Sequence, residues 1–184
     1  MRWRAWIGAI VLAGALAAAL TSATISAFSP RPPEFAVPVR LPADAQPVRV
    51  IQVLAGDTVI VTVDRPGPYI PVAGQITAKL VGVDAPDFGL IDQCFAQDSE
   101  AKLSALLPED SIAWLKVDVQ NTDELGRWLV YVWNSEDNFV NVMLALDGYA
   151  RALPSPPNVT YYPAIERAAQ SAASRFAGLW GECR

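Results

Sequence analysis

Between Ala78 and Asp87 the chain reads A-K-L-V-G-V-D-A-P-D, a buried strand with a fixed stop. Leu80, Val81 and Val83 supply the apolar run. Ala85-Pro86 ends it, because the residue before a proline is pushed towards extended backbone and proline has no N–H to offer a sheet ladder. The strand therefore delivers Asp84 and Asp87 to a rim. A second acidic turn, Ala55-Gly56-Asp57-Thr58, separates the apolar runs Val48–Leu54 and Val59–Val63, so Asp57 also falls at a strand end. Aspartates at two strand ends suit a hard, oxygen-seeking cation. They suit ordinary turns equally well, since an aspartate side chain caps its own local backbone.

The rest of the chain has the same short, punctuated pattern. Strands are expected at Val48–Leu54, Thr58–Val63, Ile76–Val83, Ile112–Val119 and Trp128–Trp133, with turn-rich connections at Asp64–Pro68 and Asn121–Gly126. Helical spacing appears at Glu100–Leu107, closed by Pro108, at Asn138–Leu146, closed by Gly148, and at Tyr161–Ala177. In the last of these Ile165, Ala168, Ala169, Ala172 and Phe176 share the inward face and Gly178 is the expected stop. Tyr149–Leu153 reads as a short extended piece. Five strands with a helix after the third and more helices at the end predict a mainly β, α+β domain, a five-stranded OB-type barrel with about three helices. A β-sandwich is the competing architecture.

At 184 residues there is room for one core and its attachments. Arg2 and Arg4 precede Ile7–Phe28, which carries no charge, so residues 1–28 are expected to form a hydrophobic helix, either an export signal or an uncleaved membrane anchor through residues 7–28. Both place the remainder outside the cytoplasm. Residues 29–47 are proline-punctuated and read as a semi-rigid spacer, leaving 48–184 as the folded domain.

Charge and composition exclude several chemistries. All 19 acidic residues lie after residue 28, with all but two of the 14 basic ones, so this is not a strongly cationic polyanion binder. There is no histidine, which removes imidazole bases and the usual zinc sites. Cys94 and Cys183 lie too far apart for a C-x-x-C motif. In an exported protein they form a disulfide, worth about 4–5 kcal/mol on the loop-entropy model. In a cytosolic one they stay separate buried thiols.

Several ordered motifs resemble the staphylococcal nuclease, or thermonuclease-like, family in its exported bacterial form. They are A-G-D-T at Ala55–Thr58, K-L-V-G-V-D-A-P-D at Lys79–Asp87, C-F-A-Q-D-S-E-A at Cys94–Ala101, D-E-L-G-R-W-L-V-Y-V at Asp123–Val132 and G-L-W-G-E-C at Gly178–Cys183. The resemblance runs from about Val48 to Arg184. It implies an OB-type barrel that cleaves phosphodiester bonds of nucleic acid with a calcium ion. Asp57, Asp84 and the carbonyl of Ala85 are the implied calcium ligands, and Asp87 stands where the family has a glutamate acting on the attacking water. Lys79 and Arg127 stand where it has two arginines on the phosphate. The Cys94–Cys183 pair matches the bridge of exported members.

The departures from the family pattern are specific. Lys79 replaces a bidentate fork with a point charge, and Asp87 is shorter than glutamate by about 1.5 Å. Ala55 stands where another acid is usual. Leu125, Pro154 and Pro156 stand where tyrosines face the nucleotide, and Glu124 brings a negative charge beside Arg127. A structural Asp84–Arg127 ion pair is a competing use of those two residues. Two functions are therefore carried forward. One is a weak, calcium-dependent endonuclease. The other is a catalytically degenerate, membrane-tethered interaction module serving a membrane-complex partner.

Overall fold

The computed structural model describes residues 39–89 and 93–183. The expected apolar helix of residues 1–28, its export or anchoring role and the first part of the spacer lie outside the described residues. Five strands close a barrel in the order β1-β2-β3-β6-β5. They are β1 (Gln46–Ala55), β2 (Thr58–Val63), β3 (Gly74–Leu80), β5 (Ile112–Thr122) and β6 (Trp128–Trp133). Neighbours pair antiparallel except β3 with β6, which run parallel through Ala78↔Trp128 and Leu80↔Val130. This is the OB-type α+β architecture, and it removes the sandwich alternative.

The alternation of β1 explains its place in the wall. Gln46, Val48 and Val50 are buried, then burial slips phase to Val53, where the pairing with β2 breaks register between Val50 and Gln52. One extra residue in a strand flips every later side chain to the other face, and a bulge absorbs that slip. Strand β6 does not alternate, with Val130, Tyr131, Val132 and Trp133 all buried. One face fills the barrel with Val50, Val59, Leu80 and Leu115, while the other is covered by α2 (Val140–Leu146) and by the rings of Phe139 and Tyr161. Asn141 on α2 is fully buried. It is satisfied because its side chain accepts from the Val132 N–H and donates to the Val81 carbonyl.

The observed elements differ from the sequence reading in identifiable places. The expected strand Ile76–Val83 stops at Leu80 and restarts as the two-residue β4 (Val83–Asp84), which pairs with β7 (Arg151–Ala152) in a second small sheet. Gly82 makes the break, at φ +80°. A Cβ there would stand 2.7 Å from Ile165 Cδ1 of helix α3 (Tyr162–Ser174). The first helix α1 (Ala96–Leu106) starts four residues earlier than Glu100, and α2 starts at Val140 rather than Asn138.

Helix α3 ends before Gly178. Phe176 takes the left-handed conformation at φ 54°, and the Ala177 and Phe176 N–H groups close back on the Ala172 and Ala173 carbonyls. That is a Schellman stop with an aromatic residue in the position glycine usually takes, and it leaves Phe176 76% exposed instead of inward. Gly178 instead opens a fourth short helix, α4 (Leu179–Glu182). The described end of the spacer also belongs to the domain. Val39 and Leu41 pack on the core, the Trp133 indole donates to the Val39 carbonyl, and Gln46 is already in β1.

Candidate active site at the barrel mouth

The site begins in the β1–β2 turn. Gly56 is wedged where a Cβ would lie 2.6 Å from Ser99 of α1 and 2.7 Å from Ala85, so only glycine lets the turn sit this close to both. The next residue, Asp57, is 0% exposed. A buried carboxylate must be paired and hydrogen-bonded to persist, and this one is. Its Oδ2 accepts from Lys79 Nζ at 2.5 Å and from the Ala85 N–H at 3.1 Å, and its Oδ1 accepts from the Thr58 hydroxyl at 3.0 Å. Register produces the contact: Lys79 is directly opposite Thr58 across the β2–β3 ladder.

Ala85 is buried and fixed by that N–H bond, and Asp84 at the end of β4 is half-buried. Asp87 follows on the exposed rim. Its carboxyl is raised above the ordinary 3.8, first by loss of water to the surrounding apolar atoms, then by the Asp57 carboxylate, and also by Asp84. Lys79 and Arg127 pull in the opposite direction. One carboxyl thus feels the charge of all four other residues nominated from sequence, although the only side-chain contact among the five, within the described residues, is Lys79 with Asp57.

Arg127 is held by a local device. Asp123 Oδ2 accepts from Arg127 Nε at 2.7 Å, and Asp123 Oδ1 accepts from the Arg127 and Leu125 N–H groups. Burial works to raise the Asp123 carboxyl, and the Arg127 hydrogen bonds outweigh it, so the net shift is downward. The acid beside Arg127 is therefore Asp123. Glu124 is exposed and, among the described residues, makes no ion pair, and Arg127 is not paired with Asp84. Leu125 is bare to solvent at 78% exposure, so no aromatic platform stands there.

Two further groups were not singled out from sequence. Ser99 is buried and donates to the Tyr149 carbonyl at 2.7 Å, fixing α1 against the chain that leads into β7. Arg151 of β7 lies opposite Asp84. For Asp123, the four-residue spacing to Arg127 is a signal legible in the sequence, whereas Arg151 carries no local signal. The Cys94 and Cys183 sulfurs are bonded at 2.03 Å, joining the start of α1 to the end of α4. A hollow of about 630 Å³ at the other end of β1 and β2, lined by Gln46, Val48, Asp64 and Arg65 among others, holds none of the candidate residues.

A closed five-stranded barrel with a buried Asp57–Lys79 pair at the β1–β2 turn defines an OB-type α+β protein with a charged site beside that turn. The comparisons narrow that class. The family model described as staphylococcal nuclease homologue matches residues 77–182. The chain is 32% identical over 141 residues to the thermonuclease of Staphylococcus hyicus, covering 75% of this chain and 78% of that protein. It is 30% identical over 131 residues to the thermonuclease of Staphylococcus intermedius, covering 71% and 74%. The chain belongs to the staphylococcal nuclease family.

Proposed function

We propose that this chain hydrolyses phosphodiester bonds of nucleic acid at the barrel mouth, outside the cytoplasm, as a weak calcium-dependent endonuclease. The observation that carries the reading is the buried Asp57 carboxylate, held by Lys79 and the Ala85 N–H in the β1–β2 turn of a staphylococcal nuclease barrel, with Asp84 and Asp87 on the segment that follows β3. The extracytoplasmic part draws its support from the Cys94–Cys183 bridge, since disulfides persist in oxidising compartments.

The donor set fits calcium, which takes carboxylate and carbonyl oxygens and completes its shell with water. Asp84 and Asp87 are in no ion pair among the described residues. No three carboxylate or thiolate side chains there converge closely enough to cage an ion unaided. Asp57, Asp84 and the Ala85 carbonyl would hold it. When bound, the ion polarises a phosphoryl oxygen and lowers the pKa of water.

The chain's own residues account for the rest. Asp87, on the rim, accepts a proton from the water whose oxygen bonds to phosphorus as the P–O ester bond breaks. Arg127 uses Nε on Asp123, leaving its two terminal nitrogens for the phosphate's developing charge. Lys79 is paired with Asp57 and so competes with the ion for that carboxylate, and its point charge grips phosphate less well than a bidentate fork. This is the reason for expecting low activity.

The same pairing favours the second reading, a domain that has kept the barrel and lost turnover. Cleavage of a labelled oligonucleotide by the full chain, with calcium and with chelator, separates the two. Chelation-sensitive cleavage that disappears in Asp84→Ala and Arg127→Ala supports hydrolysis. No cleavage in either condition sinks it and leaves the interaction module.

A further inference from the structure

The two cations that sequence nominates for phosphate are both engaged by aspartates, Lys79 with Asp57 at 2.5 Å and Arg127 with Asp123 at 2.7 Å. A third cation stands at the same mouth without such a partner. Arg151 is directly opposite Asp84 in the antiparallel β4–β7 ladder. Residues opposed in this way project from one face, with Cβ atoms about 4.5–5.5 Å apart. Yet Arg151 is exposed and makes no ion pair with Asp84 or with any other carboxylate among the described residues. Its guanidinium lies over the indole of Trp180, 5.4 Å from the ring centroid, within the range where an aromatic face attracts a cation.

The indole is a fixed support. Trp180 belongs to α4, whose first residue Leu179 is buried and donates its N–H to the Gly148 carbonyl at 2.9 Å, in the turn just before β7. At the other end of α4, Cys183 is bonded to Cys94. A backbone hydrogen bond and a covalent bridge therefore set Trp180 relative to the strand that carries Arg151. A guanidinium held over an aromatic face by its charge keeps N–H donors that no carboxylate among the described residues takes up, and such donors meet phosphate oxygens.

We infer that Arg151, seated on Trp180, binds a backbone phosphate of the nucleic-acid strand beside Asp84. This rests on the proposed function and extends it by naming a contact for the strand outside the scissile position. It also gives the chain a cationic anchor where Leu125, Pro154 and Pro156 offer no stacking rings. The ligand is a polynucleotide backbone, and the contact is blind to base sequence.

Fluorescence anisotropy with a labelled single-stranded oligonucleotide tests it, over a salt series with calcium present, on the full chain carrying Asp87→Asn to suppress cleavage. Arg151→Gln keeps the aliphatic stem and loses the charge. It weakens binding equally for oligonucleotides of different sequence and makes the log–log salt dependence shallower by about 0.7, the increment for one phosphate on a single strand. Arg151→Lys keeps the parent's salt slope. Arg65→Gln, beyond the far end of β2, leaves affinity and slope unchanged. A parent that binds while Arg151→Gln matches it in affinity and slope overturns the inference and leaves the hydrolytic reading standing. An equal loss in Arg65→Gln also overturns it, as a diffuse charge effect. A parent that binds no oligonucleotide overturns the inference and the hydrolytic reading together.

Discussion

Replacing Lys79 with methionine tests how the site stores its charge. The substitution keeps a long apolar stem on β3 and removes the ammonium 2.5 Å from Asp57 Oδ2. Asp57 is 0% exposed, so it cannot turn to water and is left with only the Ala85 N–H and the Thr58 hydroxyl. Removing one partner of a buried ion pair costs about 3–5 kcal/mol. Lys79 keeps 20% of its side chain exposed, which places the loss near the lower end, about 3 kcal/mol. With a urea m-value of about 1–3 kcal/mol/M, the unfolding midpoint falls by about 1–3 M.

The double variant Lys79→Met/Asp57→Asn sharpens the test. It removes the stranded charge, so it is less destabilised than Lys79→Met alone, and the two single costs do not add. Calcium supplies a third arm. An ion taking the ammonium's place on Asp57 restores about 2.7 kcal/mol to Lys79→Met at 100-fold excess over its Kd. The wild type gains less, because there the ion competes with Lys79. An unchanged urea midpoint in Lys79→Met, or single-variant costs that simply sum in the double, refutes the idea that Asp57 depends on this lysine.

Two other perturbations follow from single contacts. Gly82→Ala is expected to cost about 1–3 kcal/mol, because alanine is strained at φ +80° and its methyl would stand 2.7 Å from Ile165 Cδ1; a melting temperature equal to wild type would remove the account of why β3 breaks there. Asp123→Asn weakens the tether on Arg127 by about 1 kcal/mol, given that both side chains are partly solvated. Because the folded Asp123 carboxyl titrates below its ordinary 3.8, its contribution is fully present above that value. It fades as pH falls through the lower, folded value. The stability gap between wild type and Asp123→Asn should accordingly be flat near neutrality and close in acid, and a gap that persists unchanged in acid argues against the tether.

Local chemistry made much of the domain readable. Val48–Leu54, Thr58–Val63 and Trp128–Trp133 announce strands through β-branched and aromatic content between turn residues, and each is a strand within a few residues of its expected bounds. Ile165, Ala168, Ala169 and Ala172 announce the buried stripe of α3 through helical spacing. The stop at Phe176 was hidden, because a left-handed cap normally advertises itself as glycine and Gly178 offered that signal two residues too late. The break at Gly82 was hidden for a related reason. The positive φ of Gly82 leaves room for Ile165 Cδ1, a side chain more than eighty residues away.

The candidate site divides in the same manner. Residue order and turn chemistry alone put Asp57, Asp84 and Asp87 at strand ends, since proline, glycine and aspartate fix backbone dihedrals within a few residues of themselves. Which cation answers which carboxylate was decided only in the folded barrel. The β2–β3 register sets Lys79 against Asp57, the Asp123 turn captures Arg127, and the bridged α4 brings Trp180 beneath Arg151. Asp123 and Arg127 lie four residues apart and are the local exception; the other two contacts depend on distances between segments far apart in the chain, which no local preference encodes.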